Sequence, residues 1–330
     1  MSKKNASNLY AQIVLVVAIF VIISRILIYF IWLKYPAKNN FWSDLQGWDV
    51  GWYTNIIING YQKVPNTEMG SPTYAQANWA FFPLMPLIMR SIYQLTQIPI
   101  EILGPVLNTF FFLCSLIIFG TYISKDHKKG EIYYILALYA FGIYSIYFSI
   151  LYTESLFLLL TILFFYLMKR KKYIEMGIVG ALCSATRNIG AFLVFAVAIY
   201  YTESYLQNKE GERASIRKWF WNACLQPKLV VGVLLIPLGI FMYMLYLYSL
   251  TGDTLAFMHI QRAWWREMNN PVTIFINAIT NIGSTDFYLS LFVIIWIFSI
   301  YKLFVKKQYS EMIFSIIALL IPLSTSITSI

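Results

Sequence analysis

A run of apolar residues from 9 to 33, with Arg25 as its only charge, is long enough to cross a bilayer and too long for an ordinary core helix. Similar runs follow at 102–124, 131–150, 156–168, 173–205, 229–250, 287–304 and 313–324, separated by short charged loops. Such a pattern predicts a polytopic helical membrane protein. Composition agrees, since 59% of the chain is hydrophobic and 12% charged, against about 25% charged in soluble domains. The first run is too long for a signal-peptide core and no small-residue cleavage site follows it, so no cleavable signal is expected.

The net charge of +10 could indicate nucleic acid, but the basic residues are distributed otherwise. They gather as Lys3 and Lys4; Lys125, Lys128 and Lys129; Lys169, Arg170, Lys171 and Lys172; Lys209, Arg213, Arg217, Lys218 and Lys228; and Lys302, Lys306 and Lys307. Clusters in short loops between apolar runs mark the cytoplasmic side, so the charge sets topology and no nucleic-acid partner is expected. Cys114, Cys183 and Cys224 show no paired spacing and read as packing residues.

With the N-terminus inside, residues 9–33 cross outward and Asp44 and Asp49 lie outside. The run 102–124 returns to the Lys125 loop, 131–150 goes out, and 156–168 comes back. Residues 81–92, broken by Pro83 and Pro86, read as a juxtamembrane helix. The run 173–205 is flanked by basic loops on both sides, so it crosses twice or not at all, and a short hairpin turning at Thr186-Arg187-Asn188-Ile189-Gly190 lets it cross twice. The remaining runs bring the total to about nine crossings in one domain spanning residues 1–330, with a long outer loop from 251 to about 286.

The expected outer face collects Asp44, Asp49, Glu154, Arg187, Asp253, His259, Arg262, Arg266 and Glu267. Asp49 stands apart, because Trp48, Trp52 and Tyr53 surround it and would limit its hydration. A partly desolvated carboxylate is a candidate general base. It also stands where a helix beginning near Val50 needs an N-cap, and the two roles are compatible. Arg187 interrupts apolar sequence, so it wants a partner: a carboxylate such as Glu154 or Asp49, or a phosphate matched by its guanidinium fork. Arg25 poses the same question, and structural pairing is expected there. Residues 251–267 read as a turn and an amphipathic helix carrying Arg262 and Arg266, either an interfacial anchor or part of a site. His259 alone is a weak signal. No metal-ligand spacing or glycine-rich phosphate loop stands out, so no metal, cofactor or nucleotide site is inferred, and a divalent-metal requirement stays open.

Several segments together resemble the PIG-V-like family, the membrane mannosyltransferases related to GPI mannosyltransferase II, including its prokaryotic members. They are Trp48-Asp49 with Trp52-Tyr53 and Gly60-Tyr61; Phe81-Phe82-Pro83-Leu84 with Pro86-Leu87 and Arg90; Tyr152-Thr153-Glu154-Ser155-Leu156-Phe157; Thr186-Arg187 with Gly190; and Gly252-Asp253 with Leu255-Ala256-Phe257 and Gln261. Singly weak, they occur in the family's order over most of the chain. Asn188 stands where Pro is common, and family members continue past residue 324 into an outer Pro-Arg-Tyr segment, so the chain is expected to be C-terminally short for the family.

The resemblance implies a GT-C fold with a catalytic carboxylate in the first outer loop and a polyprenyl- or dolichyl-phosphate sugar donor, typically of mannose. Asp49 would then be the base in an inverting transfer of hexose to a lipid or glycan acceptor. Arg187, with Arg266 or Arg262 second, would meet the lipid phosphate. Trp48, Trp52 and Tyr53 would stack on sugar, and Glu154 would orient Arg187 or bind the acceptor. Two rival classes stay open. A transporter or flippase would show repeated halves or midplane charge pairs, and neither is visible. A scaffold subunit without catalysis is weighed against by the presence of Asp49 and Arg187.

Overall fold

A computed structural model of the chain describes residues 3–34, 40–71, 74–207 and 215–329. Lys209 and Arg213 of the expected basic loop lie outside the described residues. The chain divides into two compact units, one of Met1–Tyr61 with Phe81–Arg170, the other of Gln62–Ala80 with Lys171–Ile330.

The first unit contains α1 (Lys3–Lys34), α2 (Phe41–Asp44), α3 (Val50–Asn59), α4 (Leu84–Thr96), α5 (Ile100–Ile123), α6 (Lys129–Phe141) and α7 (Glu154–Lys169). Its core is apolar: Ile13, Val17 and Val21 of α1 meet Phe112 and Leu116 of α5 and Ile132 and Leu136 of α6. The run expected at 131–150 is broken at Gly142, after which Ile143–Phe148 continues as a 3-10 helix. Phe148 stacks on Phe112 at 4.5 Å between ring centroids, and the Ser155 hydroxyl donates to the Phe148 carbonyl at 2.9 Å. Residues 81–92, read as juxtamembrane, form α4, whose Met85, Pro86 and Met89 are buried while Leu87 and Leu95 are exposed. Tyr61 Oη donates to the Phe81 carbonyl at 2.6 Å, tying the end of α3 to the approach to α4.

The second unit contains a small antiparallel hairpin, β1 (Asn66–Ser71) with β2 (Tyr74–Gln76), the one departure from an all-helical chain among the described residues. The Gln62 side chain accepts from the Asn78 N–H at 3.0 Å and the Asn78 side chain from the Gln62 N–H at 3.1 Å. Tyr243 Oη donates to the Trp79 carbonyl at 2.8 Å. The helices of this unit are α8 (Tyr173–Thr186), α9 (Leu193–Gln207), α10 (Ile216–Cys224), α11 (Pro227–Leu235), α12 (Leu238–Thr251), α13 (Ala256–His259), α14 (Pro271–Thr280), α15 (Thr285–Val305) and α16 (Tyr309–Leu323). Ala278 of α14, Val293 of α15, and Leu319 and Leu323 of α16 form a core.

Residues 251–267 make the expected turn at Gly252 but not the continuous amphipathic helix expected after it. The chain turns at Gly252, makes the four-residue α13, and narrows to a 3-10 helix over Ile260–Trp264 that ends at Trp265. The stretch between α12 and α15 also holds α14, which Asn270 caps by accepting from Val272 N–H at 2.9 Å.

Among the described residues, five segments are long and apolar enough to span a bilayer: Ser7–Lys34, Ile100–Ile123, Asn188–Gln207, Pro227–Thr251 and Thr285–Val305. Their outward faces are apolar, with Ile22 and Phe30 of α1 and Ile295 and Phe298 of α15 all exposed. Water does not tolerate such continuous apolar surface, and a bilayer does. This is the architecture of an all-α membrane protein.

Candidate functional site

Asp49 stands where α2 has ended and α3 begins. Trp48 before it takes φ 51°, left-handed backbone that a bulky side chain rarely adopts. The turn leaves the Trp48 ring 77% exposed. Asp49 occupies the N-cap position of α3 with helical backbone (φ −74°, ψ −6°), and its side chain makes no capping hydrogen bond. Its carbonyl does the local work, accepting from Trp52 N–H at 3.1 Å and Tyr53 N–H at 3.4 Å. The sequence reading of a capping carboxylate is therefore correct in position and not in side-chain role.

The backbone N–H of Asp49 donates to Tyr152 Oη at 3.1 Å. This contact joins the α2–α3 turn to the segment before α7. Burial pushes the Tyr152 hydroxyl up to about 12; the Asp49 N–H works in the lowering direction, and the Asp49 and Glu154 carboxylates add to the rise. Tyr152 thus stays neutral at working pH and keeps its oxygen as an acceptor. Glu154 begins α7, where a negative charge suits the helix N-terminus. Asn108 of α5 donates to the Tyr152 carbonyl at 3.2 Å and fixes the same segment from below.

Rings wall the site. Trp52 stacks on Phe81 at 5.8 Å and 15°, Tyr53 meets Phe81 edge-on at 5.1 Å, and Tyr53 lies 6.3 Å from Tyr152. Trp48 lies 6.1 Å from Tyr147, which in turn lies 5.9 Å from Tyr152. The first unit thus brings together Asp49, Trp48, Trp52, Tyr53 and Tyr152, with Glu154 two residues on. Tyr147, Phe81 and the role of Tyr152 are absent from the sequence-level site. The position of Tyr152 two residues before Glu154 was the available signal.

Arg187, Arg262 and Arg266 belong to the second unit. Arg187 interrupts the apolar run as expected, with extended backbone (φ −152°, ψ 143°) between α8 and the 3-10 turn Asn188–Phe192. Its N–H donates to the Cys183 carbonyl at 3.0 Å and its carbonyl accepts from Gly190 N–H at 2.9 Å. Any Cβ at residue 190 would run into the Cys183 carbonyl group, so this break in the helix requires glycine. Arg262 is exposed, and Arg266 Nη1 donates to Gln261 Oε1 at 3.4 Å. Asp253 Oδ2 meets His259 Nδ1 at 2.7 Å. Burial alone would raise the Asp253 carboxyl, but His259 and the Leu255 N–H outweigh it and hold it below its ordinary value.

Two expected outer charges are committed elsewhere. Asp44 Oδ2 accepts from Trp32 Nε1–H at 2.8 Å, pinning α2 to the end of α1. Arg25, expected to pair structurally, meets the Ser145 carbonyl at 2.9 Å and the Phe112 ring face at 5.1 Å, with no carboxylate partner among the described residues. Among the described residues no group of three His, Cys, Asp or Glu is arranged to hold a metal ion.

The fold and this loop define a class, an all-α membrane protein with a half-buried carboxylate on a strained, aromatic-walled turn. Beyond that class, no family model, curated protein or solved structure matches the chain.

Proposed function

We propose that the chain is an inverting glycosyltransferase of GT-C type with about nine crossings. It moves a hexose, mannose by the resemblance to the PIG-V-like family, from a polyprenyl- or dolichyl-phosphate donor to a lipid or glycan acceptor on the outer membrane face. The observation that carries this reading is the Asp49 turn: a half-buried carboxylate not spent on capping its helix, with rings on either side. Asp49 takes the proton from the acceptor hydroxyl as the oxygen attacks the anomeric carbon and the lipid phosphate departs. The leaving group is a stable anion, so no second carboxylic acid is needed, unlike glycoside hydrolysis. Arg187 is assigned to the lipid phosphate on its fixed charge and its place in an apolar run. Exposed Trp48 offers a sugar-stacking face, while Trp52 and Tyr53 shape the wall behind it.

The test is transfer of radiolabelled mannose from polyprenyl-phosphate mannose to membrane lipids. Wild type moves label, and Asp49→Asn is slower by about 10²–10⁴-fold, the usual weight of a general base, with unchanged yield of folded protein. Undiminished transfer by Asp49→Asn ends the assignment of the base.

A further inference from the structure

Arg25 lies two turns before Trp32 on the outer half of α1, about 10 Å inward at the helical rise. Its Nη1 is used by the Ser145 carbonyl, but Nε and Nη2 are buried with no hydrogen-bond partner. A guanidinium in an apolar setting with two idle donors is costly, and intramembrane arginines are ordinarily paired. The Phe112 ring offers a partial substitute and no oxygen.

Beside it is an open pocket of about 540 Å³, walled among the described residues by Tyr29 and Trp32 of α1 and by Phe41 and Trp42 of α2, with Asn40 just before α2 and Arg25 as the charged group. Tyr29 and Trp32 stack at 5.7 Å, and Phe41 closes on both edge-on. The Trp32 indole N–H is taken by Asp44, so Trp32 contributes only its ring. Asn40 Oδ1 accepts from the Ser43 N–H and hydroxyl, which leaves the Asn40 amide NH₂ as a donor. Ile26, also in the wall, is 47% exposed on the face of α1 that carries Ile22 and Phe30. The cavity therefore adjoins lipid-facing surface.

We propose that this cavity holds the phosphate of one anionic membrane lipid, with the fork of Arg25 and the Asn40 amide on its oxygens and an acyl chain along the exposed face of α1. The guanidinium matches two phosphate oxygens in one plane. A ring of tyrosine and tryptophan is where a bilayer places its headgroups. The site is separate from the transfer reaction and does not use Asp49.

Native mass spectrometry of the full chain, released from micelles holding equal phosphatidylglycerol and phosphatidylcholine, tests it. Wild type and Asp49→Asn retain one phosphatidylglycerol in preference to phosphatidylcholine, and millimolar inorganic phosphate does not displace it. Arg25→Gln loses that retention at least tenfold and Arg25→Lys partly keeps it. Asn40→Ala, outside α1, weakens it severalfold and decides the matter if Arg25→Gln does not fold. Equal retention of the two lipids, unchanged retention in Arg25→Gln or Asn40→Ala, or displacement by inorganic phosphate each overturns the proposal.

Discussion

Trp48 holds its chain in left-handed backbone that costs a bulky residue about 1–3 kcal/mol. Little is recovered by burial, because the ring is 77% exposed and its neighbour Tyr147 lies 6.1 Å away. Strain kept at an exposed position next to a candidate base is expected where the geometry serves the reaction. Trp48→Gly relieves the backbone and removes the ring. The unfolding midpoint in detergent should rise, by the equivalent of about 1 kcal/mol, while transfer falls at least tenfold. A variant that gains stability and keeps full transfer removes Trp48 from the site. The sequence made this turn visible, since Trp, Asp and Gly at the end of an apolar run had no use in lipid. The role of Tyr152 was not visible: its bond to Asp49 spans 103 positions, and long-range pairing leaves no periodic trace.

The helix break before Pro237 in the second unit is held by a polar atom inserted from a neighbour. Pro237 lacks an N–H, and α11 ends just before it. The Ser184 hydroxyl of α8 enters the gap, donating to the Ile236 carbonyl at 2.7 Å and accepting from Ile240 N–H at 3.3 Å. It stands in for the helical bond those two groups would otherwise share. The insertion needs close backbones, and Gly239 provides them, because a Cβ there would overlap the Ala181 carbonyl oxygen and crowd Ala185 N at 2.6 Å. Gly239→Ala should therefore lower stability by about 1–3 kcal/mol, read as a lower unfolding midpoint in detergent. Gly130→Ala, where a Cβ meets nothing within 4 Å, should stay at or above the parent. Equal midpoints for the two variants would show that the close packing is not a constraint. Such contacts explain why one apolar run, 229–250, reads as a single helix and folds as two: its hydropathy is continuous across Pro237, and only the neighbour shows how the break is satisfied. Likewise the mixed faces after the Gly252 turn suggest one amphipathic helix up to 267, whereas the chain there makes the four-residue α13 and a 3-10 stretch ended by left-handed Trp265.

Length and charge give different counts of crossings. Counting only the five long apolar segments places Lys63 and Cys224 on one side, because only Ile100–Ile123 and Asn188–Gln207 intervene. That count also carries Arg217, Lys218 and Lys228, and then Lys306 and Lys307, to the side opposite Lys125, Lys128 and Lys129, against the positive-inside rule. Letting α6, α7 and α8 cross as well returns every one of these clusters to the same side as the N-terminus. These helices are short: α7 has 16 residues and α8 has 14, about 24 and 21 Å at the helical rise, against a hydrocarbon core of about 30 Å. α6 is extended by the 3-10 stretch Ile143–Phe148. Charge was legible in the loops, whereas the length of each crossing depends on tilt, breaks and local bilayer thinning, which no window of residues records. An impermeant maleimide applied to intact cells separates the two counts. Cys224 is exposed at the end of α10, Cys183 is buried in α8, and Lys63→Cys supplies an exposed probe between α3 and β1. With about nine crossings, Lys63→Cys labels from outside and Cys224 labels only in inverted vesicles. Labelling of both in intact cells would mean that α6, α7 and α8 do not complete an odd number of crossings between them, and the basic clusters would then need counter-charges on the outer face to stay there.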